Sequence, residues 1–139
     1  KVIIQTYYPE QPIIQSLKKR DRSAFIKQAL IEREQFNIPP FGFMTSIIIS
    51  GSSKANVLKF SQKLVFLSRY SEKIDVLGPV EAPINLLKGQ YRYRILLKGN
   101  NRKNLNIFTK KMLRSTKIPS SIRVVVDVDP YTFMWFIHN

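Results

Sequence analysis

The sequence predicts an α+β protein whose main domain is a ferredoxin-like β-α-β-β-α-β unit, preceded by a strand and connecting helices. Stretches rich in β-branched residues alternate with stretches whose apolar residues recur at helical spacing. The pair Pro39-Pro40 separates a helical first part from this alternation, because neither proline continues a helix. A length of 139 residues suits one ordinary domain with a short addition. Such a unit lays two helices on one face of an antiparallel sheet and leaves the other face open.

The residues before the proline pair are predicted to form one strand and then two helices. The string VIIQTY, residues 2–7, is typical of a short buried or edge strand. Pro12 suits the first turn of the next helix, and Asp21 is a candidate N-cap for a second helix. We therefore assign residues 1–10 to a terminal strand, and residues 11–41 to connecting helices and the proline linker.

The main domain is predicted over residues 42–130 and begins with a strand, a helix and a second strand. The string FMTSIIISG is β-branched and ends at Gly51, as a strand would. A helix is predicted from about Lys54 to Tyr70, and KIDVLGPV then forms a strand that Gly78 and Pro79 interrupt. The apolar face of the helix consists of Val57, Phe60, Leu64 and Leu67.

The second half of the domain is predicted to be a hairpin, a helix and a last strand. INLLKGQYRYRILLKG forms two extended arms with a turn near Lys88-Gly89. Asn100 or Asn101 can cap a helix that runs to about Thr116, with Leu105, Phe108 and Met112 facing inward. SIRVVVDVDP forms the last strand, and residues 131–139 are a tail.

Charge is the strongest compositional signal, with 23 basic residues against 9 acidic ones and a net charge of +14. Between Ala82 and Val126 every charged side chain is basic. A surface charged for solubility would mix signs, so this segment indicates a polyanionic partner. A lysine-rich composition bias is the alternative, although bias explains added lysines better than missing acids. The basic residues of the segment are Lys88, Arg92, Arg94, Lys98, Arg102, Lys103, Lys110, Lys111, Arg114, Lys117 and Arg123.

The sequence offers no catalytic or metal constellation. It has no cysteine, which excludes disulfides and thiolate metal sites and favours a cytoplasmic location. Its one histidine, His138, stands next to the end of the chain, where a frayed terminus is the natural interpretation. Asp127 and Asp129 share one side of a strand, but without further ligands nearby they favour a turn-capping, strand-ending role. Phosphate-binding glycine loops, zinc spacings and nucleophile elbows are absent from the sequence.

The stretch GQYRYRILLKG has two different sides. Tyr91 and Tyr93 alternate with Arg92 and Arg94, so the tyrosines should pack under the helices while the arginines and Lys98 point from the open face. An RNA-recognition motif would need stacking aromatics where Gln90 and Arg92 stand, and a slip of one residue reverses the face. The exposed groups are therefore guanidinium groups, which suit phosphate.

The start of the last helix adds a candidate anion site. Arg102 and Lys103 lie in its first turn, where cations oppose the helix dipole unless a carboxylate or phosphate binds there. A merely exposed basic turn is the alternative. Lys103, Lys110 and Arg114 lie near one helical face, where they either contact phosphate or are simply solvated.

Five strings stand in an order and spacing typical of one family: VIIQTYYPEQPIIQSL, REQFNIPPFGFM, VLGPVEAP, GQYRYRILLKG and VVVDVDPYTF. The sequence resembles the C-terminal region of the PriA family, also called primosomal protein N′, of bacterial replication-restart DNA helicases. The resemblance covers essentially the whole chain. IPPFG, GQYRYRILL and DVDP are specific together, although each alone is weak.

The resemblance implies that residues 1–10 close a RecA-like helicase lobe, and that residues 42–130 are a C-terminal domain similar to a small-subunit ribosomal protein. Family members unwind DNA 3′ to 5′ with ATP and Mg²⁺ and bind zinc through cysteines. Those motifs lie upstream in the family, so this chain should have no cofactor and no activity of its own.

The resemblance also implies two kinds of partner, together with other primosome proteins. The family's C-terminal domain contributes to binding branched and single-stranded DNA, and helps to form a pocket for the acidic tail of single-stranded DNA-binding protein. Arg102 matches a family arginine of that pocket. Asn106 departs from the family, which usually has a longer amide there, and the string WFIHN extends past the usual end.

We therefore expect a non-catalytic DNA-binding and protein-docking domain that positions branched DNA through phosphate contacts. An RNA-binding module of ribosomal-protein type is the first alternative, and a small enzyme on the same scaffold is the second. The expected DNA contacts are Arg92, Arg94, Lys98, Lys103, Lys110 and Arg114; the expected contacts of the acidic tail are Arg102 and Asn106.

Overall fold

The computed structural model describes residues 2–68 and 73–130, and the predicted tail with Trp135 and His138 lies outside them. The chain divides into two compact units, Lys1–Phe36 and Asn37–Asn139. The second unit thus begins just before the proline pair that the sequence marks as the boundary.

The first unit contains helices α1, Pro12–Lys19, and α2, Arg22–Gln35. Pro12 lies in the first turn of α1, where its missing N–H costs nothing. The side chain of Asp21 accepts a hydrogen bond of 2.9 Å from the N–H of Ala24 and so caps α2. Both features were predicted. No side chain of either helix is fully buried.

The predicted strand over residues 2–7 does not form. These residues belong to the described part of the chain and pair with no strand in it. The side chains of Val2 and Ile3 are 88% and 84% exposed. The physical reason is that a strand needs a neighbour for its N–H and C=O groups, and apolar β-branched residues do not supply one. The assignment of this segment to a helicase lobe stays a prediction.

The second unit is built on a four-stranded antiparallel sheet in the order β2-β3-β1-β4. The described residues thus form an α+β chain of four helices and four strands, and α1 and α2 keep it from a clean β-α-β-β-α-β order. The elements of the unit are β1, Phe43–Gly51; α3, Lys54–Leu67; β2, Ile74–Leu87; β3, Gln90–Gly99; α4, Arg102–Arg114; and β4, Ile122–Val128.

Helices α3 and α4 pack on one face of this sheet and close the main core. The predicted face of α3 is confirmed for Val57, Phe60 and Leu64, whereas Leu67 ends the helix and is 42% exposed. From the sheet, β1 and β3 contribute alternate apolar residues, as their pattern predicts. The remaining fully enclosed members of the core include Ile47, Ile49, Ile95, Leu97 and Leu105.

The hairpin of β2 and β3 turns at Lys88 and Gly89, as predicted, and both residues have positive φ. Its ladder shifts register twice, between Leu77 and Val80 and again between Glu81 and Leu86. Gly78 allows the first shift, because its φ is +100° and an added Cβ would lie 2.8 Å from the carbonyl oxygen of Arg94. From Pro83 to Gln90 every residue of the hairpin is exposed.

Candidate nucleic-acid interface

Strand β3 presents its tyrosines to the helices, as the alternation predicts. Tyr93 pairs with Ile49 in the ladder and is 5% exposed, while Tyr91 is half-buried near the hairpin turn. The Tyr93 hydroxyl lies 3.2 Å from the Glu81 carboxylate, which also pairs with Lys54 at 2.6 Å. The tyrosines therefore belong to the core and its edge, and they form no stacking platform on the opposite face.

The opposite face of the sheet is less open than predicted. Met44, Leu96 and Ile38 form a second apolar cluster there, with 1%, 1% and 6% of their surfaces exposed. Ile38 stands beside the proline pair, so the linker segment covers part of the face. The prediction of an open sheet face is thus wrong at its centre, because a segment preceding β1 folds back onto it.

Arg94 lies on the same sheet face, two residues before Leu96, and is only 7% exposed. Burial lowers the pKa of Arg94, and the neighbouring charge of Arg92 lowers it further, whereas Asp127 raises it. The expectation that Arg94 points into solvent is therefore wrong. Its planar, always charged guanidinium is the cationic group best suited to such a place.

The other two basic residues of β3 differ from each other. Arg92 is half-buried nearer the hairpin turn. Lys98 forms an ion pair of 3.2 Å with Asp75 of β2 and keeps 21% of its side chain exposed. Of the three predicted phosphate contacts on this strand, only Arg92 is both partly exposed and without an ion pair to an acid in the described residues.

The first turn of α4 has an internal partner that the sequence did not reveal. Asn101 caps the helix by accepting a 3.0 Å hydrogen bond from the N–H of Asn104. The Arg102 guanidinium donates to the Asp129 carboxylate at 2.6 Å and lies over the Phe43 ring, 4.9 Å from its centre. Asp129 does follow the last strand, as its strand-ending role requires, and its carboxylate also offsets the charge at the helix start.

Asn106 is exposed one turn after Arg102, on the same side of α4. The two predicted contacts of the acidic tail thus lie next to each other. A separate polar cavity of about 380 Å³ opens at the same end of the helix. Its lining brings together segments far apart in the sequence, so no local motif could have indicated it. The lining includes Asn37, Lys73, Lys98, Asn100, Asn101 and Asn104.

The outward side of α4 carries the remaining predicted contacts. Lys103, Lys110 and Arg114 are all exposed. A shallow groove of about 500 Å³ lies along the second half of the helix, and its apolar member is Ile107, 55% exposed. Lys111 joins Lys110 and Arg114 along this groove. None of these cations forms an ion pair with an acid in the described residues.

The six predicted DNA contacts therefore belong to two faces of the unit. Arg92, Arg94 and Lys98 lie on the sheet face opposite the helices, because Tyr93 between them faces the helices. Lys103, Lys110 and Arg114 lie on α4, on the other side of the sheet. One flat surface therefore cannot include all six, in keeping with the predicted placement of the helices and the β3 cations on opposite faces.

Comparison with protein families decides the relationship. Residues 34–131 match the family described as the primosomal protein N C-terminal domain. The chain belongs to this family. It is homologous to the C-terminal region of replication restart protein PriA.

Individual relatives carry the same name. The PriA protein of Rickettsia conorii is 36% identical over 132 residues, which cover 95% of this chain and 20% of that protein. The PriA protein of Synechocystis is 34% identical over 136 residues (94% of this chain, 16% of that protein), and that of Bacillus subtilis 28% over 138 (96% and 17%). The chain thus spans about a fifth or less of these relatives.

A solved structure, the C-terminal DNA-binding domain of the MHV-68 latency-associated nuclear antigen, covers 71% of this chain and 89% of its own. The sequences are 14% identical and the TM-score is 0.37, too low to support any inference.

Among the described residues, no three metal-binding side chains gather at one place. Likewise, none of the described helices has the length and apolar character needed to cross a membrane.

Proposed function

We propose that the chain is a non-catalytic DNA-binding and protein-docking part of a PriA-like ATP-dependent 3′–5′ DNA helicase, acting in replication restart and primosome assembly. Membership of the primosomal protein N family supports the proposal that the longer parent protein is such a helicase. In this proposal the ATP, Mg²⁺ and zinc sites belong to other parts of the parent. The chain itself lacks ATPase activity and acts in the cytoplasm.

The observation that carries DNA binding is the exposed basic side of α4. Lys103, Lys110 and Arg114 are exposed there without an acidic partner in the described residues. Like charges held together on one helix repel one another and are stabilised by a polyanion. Phosphate contacts of this kind position DNA and contribute little to sequence recognition.

The same proposal assigns the second unit to the ferredoxin-like folds. Its element order from β1 onward and its antiparallel sheet β2-β3-β1-β4 support that assignment. The acidic tail of single-stranded DNA-binding protein docks at Arg102 and Asn106. There its carboxylates compete with Asp129 for the guanidinium.

Fluorescence anisotropy tests the DNA proposal. The chain is titrated with labelled forked DNA, single-stranded DNA and a matched RNA, between about 50 and about 300 mM salt. We expect the fork to bind with a steep salt dependence and RNA to bind no more tightly. Clear preference for RNA would instead support the ribosomal-type RNA-binding module, and absence of all binding would remove the DNA assignment.

A further inference from the structure

A lysine-lined cavity includes none of the residues discussed so far as a contact. It measures about 250 Å³ and is formed by α3 and by the segment that joins α4 to β4. Lys59 and Lys63 of α3 and Lys117 of the joining segment surround it, and all three are exposed. Buried Phe60 and Ile122 also line it, together with Asn56, Pro119 and Ser121.

Within the part of the chain that the structure describes, the three lysines of this cavity form no ion pair with an acid. The ion pairs of the described residues involve Lys54, Lys98 and Arg102 instead. The described residues that line the cavity include no Asp or Glu. Three cations brought together from two segments repel one another, so an anion that binds between them relieves the repulsion.

We infer that this cavity binds the phosphate backbone of a duplex DNA arm. This inference rests on the proposed function and adds a second surface to it. Lysines act as flexible point charges, and the Asn56 amide and Ser121 hydroxyl add neutral donors, a set that suits phosphate oxygens. Base stacking needs an accessible aromatic ring, and Phe60 is only 6% exposed, so the site suits a duplex rather than a single strand.

The cavity continues the basic side of α4. Lys111 and Arg114 lie in the last turn of that helix, and Lys117 follows three residues after Arg114. Helices α3 and α4 lie in one layer and contact each other. A basic path therefore leads from the α4 groove past Lys117 to Lys59 and Lys63, and a duplex backbone can follow it across the helical layer.

The test is the variant Lys59→Ala/Lys63→Ala/Lys117→Ala, with Lys18→Ala/Lys19→Ala/Lys27→Ala as a control of equal charge change on exposed lysines of the first unit. Binding to a blunt duplex, a fork and a single strand is measured against salt concentration. We expect the slope of log K against log salt for the duplex to fall by about 2 to 3, since each lost phosphate contact removes about 0.9. The single-strand slope and the control should change by less than one contact.

Each other outcome contradicts the inference in a distinguishable way. If the unsubstituted chain binds DNA but the cavity variant keeps its salt slope for the duplex, the assignment of this surface is wrong and the proposed function stands. If the single strand loses as much as the duplex, the duplex assignment is wrong. If the unsubstituted chain binds no DNA at all, both the proposed function and this inference fail. An acidic peptide is titrated in parallel, and if the variant loses only binding to that peptide, the occupant is a protein. Circular dichroism of all variants verifies that each is folded.

Discussion

The Arg102 guanidinium and the Asp129 carboxylate form an ion pair with Nη2 and Oδ2 2.6 Å apart, although the two residues are 27 positions apart in the chain. Arg102 is the first residue of α4, where a positive charge opposes the helix dipole. Asp129 therefore supplies from within the molecule the counter-charge that such a residue needs. An external carboxylate must compete with it.

The first prediction follows from that competition. Asp129→Asn should release Arg102 and strengthen the binding of a short acidic peptide several-fold, measured by calorimetry. The free energy of unfolding should fall by no more than about 1 kcal/mol, because the pair is partly exposed. Asp127→Asn is the matched control, since it removes the same charge two residues away. An equal gain in that control would mean that only net charge matters.

The second prediction separates the two arginines of β3. Arg92→Ala should lower the DNA salt slope by about one phosphate contact, roughly 0.9. Arg94→Ala should leave the slope nearly unchanged but lower the free energy of unfolding by about 1 to 3 kcal/mol, because Arg94 is buried. Anisotropy and urea denaturation give the two quantities. A slope change for Arg94→Ala as large as for Arg92→Ala would contradict the burial argument.

The third prediction concerns the basic side of α4. Lys110→Ala/Arg114→Ala should lower the salt slope for forked DNA by about two contacts, since both cations are exposed and line one groove. Lys18→Ala/Lys19→Ala, on the exposed last turn of α1, is the control of equal charge. If both pairs lower the slope alike, binding depends on total charge and not on α4.

The fourth prediction uses the pKa of Glu81, which is lowered to about 2 by hydrogen bonds from Asn85 and Lys54. A carboxylate whose pKa is lowered in the folded state stabilises that state above its ordinary pKa of 4.5, and the stabilisation is lost as pH falls toward 2. Thermal unfolding should therefore show that the unsubstituted chain loses stability more steeply than Glu81→Gln as pH falls from 4.5 to about 2. Glu34→Gln, on α2, is the control of equal charge change, and an equal change in its profile would mean that net charge alone is responsible.

Local signals in the sequence predicted the helix caps of both units and most of the second unit. Asn101 and Asp21 cap helices where their side-chain chemistry requires, and the alternation in β3 correctly placed Tyr93 in the core. These features depend on neighbours within a few residues. Features that depend only on such near neighbours can be predicted from the sequence alone.

The failures all depend on distant neighbours. Residues 2–7 have the composition of a strand but no partner, so none forms there. Arg94 is buried in a face where Ile38 covers part of the surface, and that segment is far from Arg94 in the chain. Alternation gave the face of Arg94 correctly, but exposure depends on what lies above that face.

The double register shift in the β2–β3 hairpin has a dynamic consequence. Between Glu81 and Leu86 the ladder loses its regular pairing, so the outer end near Lys88 is joined to the sheet through an interrupted set of hydrogen bonds. Such a segment opens at lower free energy than the strand pairs around Leu96. Amide hydrogens of the outer hairpin should exchange with deuterium much sooner than those at Ile95 and Leu97, and the tip can adjust its position while the core stays closed.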